Sequence, residues 1–130
     1  MERHAMIVAG FGFRGGADLD ALRRLFDLAQ RGQPRITHLA TPQDKIAALR
    51  PLADALGLPL SAIAPAAMVA APTHTCSPAS LKARGVGSVA EACALAAATL
   101  SGRPPPRLLL SRQISPDRMA TCAIAQGYPQ

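Results

Sequence analysis

Tryptophan is absent from the 130 residues, tyrosine occurs once and phenylalanine three times. A chain so poor in rings has no platform for stacked bases, and it has no Lys/Arg-rich block, so nucleic acid is not the expected partner. Long apolar runs are missing as well. None approaches the ~20 residues of a membrane span, and "MERHAMIVAG" leads straight into an expected strand without a cleavage pattern, so no membrane association is expected and the cytoplasm is the expected location. Cysteine is scarce and scattered. Cys76, Cys93 and Cys122 show neither C-x-x-C nor zinc-like spacing, the pattern of reduced thiols, two of them in core-like surroundings. Acid is in deficit too, with 8 Asp and Glu against 14 Lys and Arg, a net charge of +6 and a pI near 10.3. A positive field of that size concentrates anions and points to an anionic partner.

What is present is small and apolar. Hydrophobic residues make up 49% of the chain and the mean hydropathy is +0.17, the composition of a compact domain packed with Ala and Leu. The length fits one domain and leaves no room for a complete dinucleotide-binding fold together with a substrate domain.

The pattern along the chain alternates strands and helices. Ala5 to Ala9 reads as a buried strand, covered on both faces, followed by a glycine loop. Asp18 is an expected N-cap, with Leu19, Leu22, Leu25, Phe26 and Ala29 on one helical face and Gly32 as the stop. "RITHLAT", Arg35 to Thr41, alternates as a second strand. The helix behind it ends at Gly57, and Pro51 is expected near that helix's start, where a missing N–H costs little. Leu58 to Ala64 is a third strand, and Pro65 opens a short helix. From Pro72 to Gly87 periodicity is lost in a long loop, the kind that tends to carry function. Ser88 and Glu91 form S-x-x-E ahead of "ACALAAATL", a capping box. "RLLLS" and "MATCAIA" close the chain as two strands, either a hairpin or neighbours at one edge. This order predicts a single three-layer α/β/α domain over residues 1–130, with a mixed, mostly parallel sheet and a C-terminal antiparallel pair.

Gly10, Gly12 and Gly15 spell G-x-G-x-x-G after the first strand, the arrangement that cradles a pyrophosphate. The fingerprint is incomplete. The acid that should hold the ribose, ~20 residues on, is missing from the end of the second strand: Asp44 lies beyond a proline, and Arg14 occupies the loop. A nucleotide- or phosphate-binding use of these glycines therefore stands as an alternative, beside a turn that merely needs positive φ. Arg14 offers a planar fork for carboxylates or phosphates, and Lys45 follows the second strand, so both are expected on the carboxyl edge of a parallel pair. His74 and Cys76 have no convergent partners, and no metal is expected. Ser77 lacks a nucleophile elbow and reads as a hydrogen-bond donor to a ligand. Glu91 suits either acid-base chemistry or its cap.

The sequence also resembles a known family, the CobE and CbiG C-terminal proteins of cobalamin biosynthesis. The resemblance rests on "VAGFGFRGGA", "LATPQDK" with "ADALGLPL", "CSPAS", "GVGSVAEACAL" and "MATCAIAQ", in family order over nearly the whole chain. The length is similar to that of stand-alone members from the aerobic corrin-ring route. One position departs: Phe13 stands where the family often has Cys, which removes a thiol from the opening loop. The resemblance implies a chain that binds, and processes or escorts, an anionic precorrin, a tetrapyrrole fringed with carboxylates. It places Gly12, Arg14, Gly15, Lys45, Ser77, Ser88 and Glu91 at the substrate. It gives no residue a catalytic role and implies no cofactor. Other corrin-pathway enzymes are further expected partners. The enzymatic alternative is a hydrolase similar to CbiG, which opens a ring lactone and releases a two-carbon fragment.

Overall fold

The computed structural model describes residues 6–13, 18–73, 75, 81–82, 87–99 and 106–127. Five strands form one sheet: β1 (Met6–Phe13), β2 (His38–Pro42), β3 (Leu60–Ile63), β4 (Arg107–Ile114) and β5 (Ala120–Gly127), in the order β3-β2-β1-β5-β4. β1, β2 and β3 pair in parallel, and β5 runs antiparallel to both β1 and β4. The sheet is mixed, with β1 at its centre and the closing pair forming a hairpin, as the sequence predicts.

Helices α1 (Leu19–Gln30), α2 (Ile46–Leu56), α3 (Pro65–Ala70) and α4 (Val89–Thr99) cover it. Strand residues alternate between faces, so Ile7, Ala9 and Phe11 meet α1 and α2, whereas Val8, Ala40 and Ala125 meet α3 and α4. The local signals held except at Leu19, which begins α1 and is exposed while Leu22, Leu25, Phe26 and Ala29 are buried. Asp18 caps α1 by accepting from the Ala21 N–H at 2.8 Å, and Gly57 ends α2 in the left-handed region at φ 68°.

Two expectations are corrected. β1 does not stop at Ala9 but continues through Gly10 and Gly12 to Phe13, so these two glycines are strand residues and not part of a loop. A Cβ on Gly10 would lie 2.5 Å from the Ala94 nitrogen, and one on Gly127 would lie 2.5 Å from the Ala98 carbonyl oxygen. The glycines admit the backbone of α4 against the sheet, a close approach that any side chain would prevent. Pro51 is the second correction. A 3-10 turn, Gln43–Lys45, leads into α2 at Ile46, which puts the proline inside the helix. Its cost is reduced because Ala47, whose carbonyl loses a donor, and Pro51 both face solvent.

Apart from Glu91, α4 has no polar face, and Ala90, Ala92, Cys93, Ala94, Leu95, Ala97 and Ala98 are all buried. Such a helix is stable only when covered on more than one side, and α3 packs on it with Met68 in the shared cluster.

Candidate functional site

The carboxyl ends of β1, β2 and β3 and the last residues of β4 lie at one edge, because β4 shares the direction of the parallel strands. Loops and helix N-termini gather at this edge in α/β folds, and ligands bind there. The N-terminus of α4 reaches it: Val89 touches the position a Gly12 side chain would take, with its Cβ 3.0 Å away. Ser88 caps this helix by accepting from the Glu91 N–H at 3.2 Å, so the serine half of the expected capping box is present. Gly12, Ser88 and Glu91 are thus brought together on the α4 side of the edge.

Glu91 is fully buried, an unusual place for a carboxylate. Its Oε1 accepts from the Thr75 N–H at 2.9 Å, and its Oε2 accepts from the Thr75 hydroxyl at 2.7 Å and the Arg112 N–H at 3.0 Å. The Arg112 donor is available because β4 and β5 slip register between Leu110 and Gln113, which releases a ladder N–H. One side chain of α4 therefore grips the segment after α3 and the edge strand β4. Sequence reasoning found Glu91 but missed Thr75 and Arg112. The Arg112 contact uses only the main chain and leaves no residue-type signal.

Lys45 lies at the same edge on the opposite face. Its ammonium sits 5.8 Å from the centre of the Phe13 ring, within cation–π range, and both residues are half-buried. Phe13 is the last residue of β1, so Lys45 is placed beside the point from which Arg14 continues the chain. Arg14, Gly15 and Ser77 lie outside the described residues.

The buried thiols are poor nucleophiles. Cys93 belongs to the α4 face and Cys122 to the α1 face, and burial pushes the Cys122 thiol far up. Among the described residues no group of His, Cys, Asp and Glu could hold a metal ion, and no helix is long and apolar enough to cross a membrane.

The fold is that of a single α/β domain with a mixed sheet, and its carboxyl edge carries a basic residue and a helix N-terminus. Residues 7–125 match the family model for the cobalamin synthesis G C-terminus, and the chain belongs to that family, which places it in cobalamin biosynthesis. It is similar to the crystal structure of CobE, a protein from the cobalamin (vitamin B12) biosynthetic pathway. The identity is 31% over 97% of this chain and 94% of that one, with a TM-score of 0.83. It is also similar to the cobalamin biosynthesis protein ChiG from Agrobacterium tumefaciens str. C58, with 29% identity over 94% of this chain and 98% of the other and a TM-score of 0.70. A cobalamin biosynthesis protein G homologue from Sulfolobus solfataricus shares the fold alone, at 15% identity and a TM-score of 0.63, across 93% of this chain and 36% of that longer one. Among curated proteins no sequence matches the chain.

Proposed function

We propose that this protein binds an anionic precorrin intermediate at the carboxyl edge of the sheet, with Lys45 as a carboxylate-binding cation. The observation that carries this reading is the Lys45 ammonium held against Phe13 at the end of the central strand. An ammonium fixed by a ring is already oriented, so less side-chain entropy is lost when a carboxylate arrives. Membership of a cobalamin-synthesis family supports the ligand class, and the charge of +6 supports its sign. Arg14, next in sequence after Phe13, and Ser77 are proposed to join Lys45 at the ligand. Gly15 is proposed to let the backbone approach it, whereas the space beside Gly12 is taken by Val89 and Thr121.

Binding and escort are favoured over hydrolysis. Both carboxylate oxygens of Glu91 accept hydrogen bonds from Thr75 and Arg112, so this group shapes the edge and is not poised to take a substrate proton. Ser88 caps α4 and presents that helix's N-terminus, with its partial positive charge, at the edge.

The test is to incubate the protein with successive precorrin intermediates and follow absorbance and mass together. A spectral shift with unchanged mass supports binding. Loss of a two-carbon fragment or addition of water supports a hydrolase, and tighter binding of a dinucleotide than of any corrinoid contradicts the ligand class.

A further inference from the structure

An open sheet ends in two edge strands, and each presents backbone N–H and C=O groups that a further strand can take. The two edges of this sheet are built differently. β4 carries Arg107 and Arg112, and its pairing with β5 slips register twice, two devices that discourage another strand. β3 has neither. Its residues Leu60–Ile63 carry no charge and pair with β2 in unbroken register, and among the described residues no strand lies on its other side.

The lack of charge extends well beyond β3. From Ala55 to Leu81 the sequence has no Asp, Glu, Lys or Arg, in a chain with 14 Lys and Arg and 8 Asp and Glu elsewhere. Much of this stretch is surface. Ala62 in β3, Ala66 and Ala70 in α3 and Pro72 beyond it are exposed, and Val69 is 62% exposed. Ala66, Val69 and Ala70 recur at i, i+3 and i+4, one face of α3, while Met68 turns into the core.

Register decides what can fill this edge. The Leu39 N–H donates to the Pro59 carbonyl, so in the parallel pair Pro59 and Ser61 turn their groups to β2, and Leu60 and Ala62 point theirs outward. A two-fold axis beside Ser61 sets Leu60 of each copy opposite Ala62 of the other, and the outward groups of β3 in both copies are then paired. A second copy of the chain meets that requirement in both directions at once. Charge selects the same partner, because two chains of net charge +6 approach at least cost where neither presents a charge.

We propose that the β3 edge and the outer face of α3 form the interface of a two-fold dimer, in which the two sheets join antiparallel through β3. The two carboxyl edges then point in opposite directions and both stay open, so the proposal does not depend on the ligand at Lys45. The contact is small. Residues 59–72 offer nine exposed residues per copy, against about 20–30 in a standard interface, so the dimer is weak and reversible.

Sedimentation equilibrium on the intact chain, from about 10 to 500 μM, reads the association, and monomer and dimer in exchange are expected. Ala62→Lys and Val69→Arg each set like charges near the axis and weaken it about tenfold or more. Both side chains are exposed, so the fold survives, and circular dichroism checks it. Ile114→Lys on the β4 edge and Lys45→Ala leave association within about twofold. Added salt strengthens it, by screening the repulsion between two basic chains. Ser61→Cys in a Cys76→Ser background places two thiols across the axis with Cα atoms about 4.5 Å apart, within disulfide reach, and mild oxidation yields a covalent dimer. Cys93 and Cys122 are buried and do not compete. A chain that stays monomeric over the whole range would overturn the proposal and leave this edge to a strand of a different protein. Equal weakening by Ile114→Lys, or association that loosens with salt, would overturn it as well.

Discussion

On one face of the sheet Phe11, Leu39 and Ile124 meet Leu22, Phe26, Leu49 and Leu52, and large side chains fill the space between sheet and helices. On the other, Gly10, Gly12 and Gly127 meet Val89, Ala90, Ala94 and Ala98, and backbone lies almost on backbone. The first face gains its stability from buried apolar volume, about 1.5–3 kcal/mol for each large side chain. The second gains it from close dispersion contact and from the polar grip of Glu91. The difference bears on function, because only the second arrangement brings a helix N-terminus tight against the end of the central strand. Glycines that read as a ligand cradle serve first to seat α4.

Opposite substitutions should therefore harm opposite faces. Phe11→Ala leaves a cavity on the large-residue face and should cost about 4 kcal/mol, read as a lower denaturant midpoint at unchanged slope. Gly10→Ala adds one methyl on the other face and should cost about 3 kcal/mol, because the atoms it meets include helix backbone at Ala90 and Ala94. Adding Ala94→Gly should not rescue it. Full rescue would mean that side chains alone, and not the main chain of α4, set the spacing.

Glu91→Gln comes next. It removes the charge and turns one acceptor into a donor facing Thr75 or Arg112, at a cost of about 2 kcal/mol. Amide exchange should rise at Thr75 and Arg112 more than in α1. A uniform rise across the molecule would contradict a local grip. Gly12→Ala should be milder than Gly10→Ala, about 1 kcal/mol, since the Val89 and Thr121 side chains it meets have room to shift.

The smallest effect is a pH dependence at the start of β2. Partial burial lowers the His38 pKa below 6.5, so the folded chain takes up this proton less readily than the unfolded one. The stability His38 contributes is present above pH 6.5 and is lost as pH falls through that value toward the folded pKa. His38→Gln should flatten this part of the profile by a fraction of a kcal/mol, measured as the difference between the two proteins' curves. Stability that instead rises as the pH falls would reverse the sign.

How much of this was legible in the sequence follows from how local each cause is. Asp18, Gly57 and Ser88 act within one turn of chain, and their caps stand where the pattern puts them, whereas the Glu91 carboxylate reaches to Thr75 and Arg112. The extent of β1 was not legible, because the reason for Gly10 lies at Ala90 and Ala94, some eighty residues away. A signal did exist: glycines two apart in an apolar run mark one face of a strand, and an alanine-rich helix without periodicity marks its counterpart. Lys45 was legible as a cation after the second strand, but its seat on Phe13 depends on β1 running four residues past Ala9.

The central claim is that the carboxyl edge holds a corrinoid polycarboxylate through Lys45. Titration calorimetry of a stable corrinoid polycarboxylate with the native chain and Lys45→Ala, each at low and high salt, tests it most directly. The account predicts binding weakened by about 1.5–3 kcal/mol on removing the ammonium, and a salt dependence that is smaller in the variant. Equal affinity of the two proteins at both salt concentrations would contradict it.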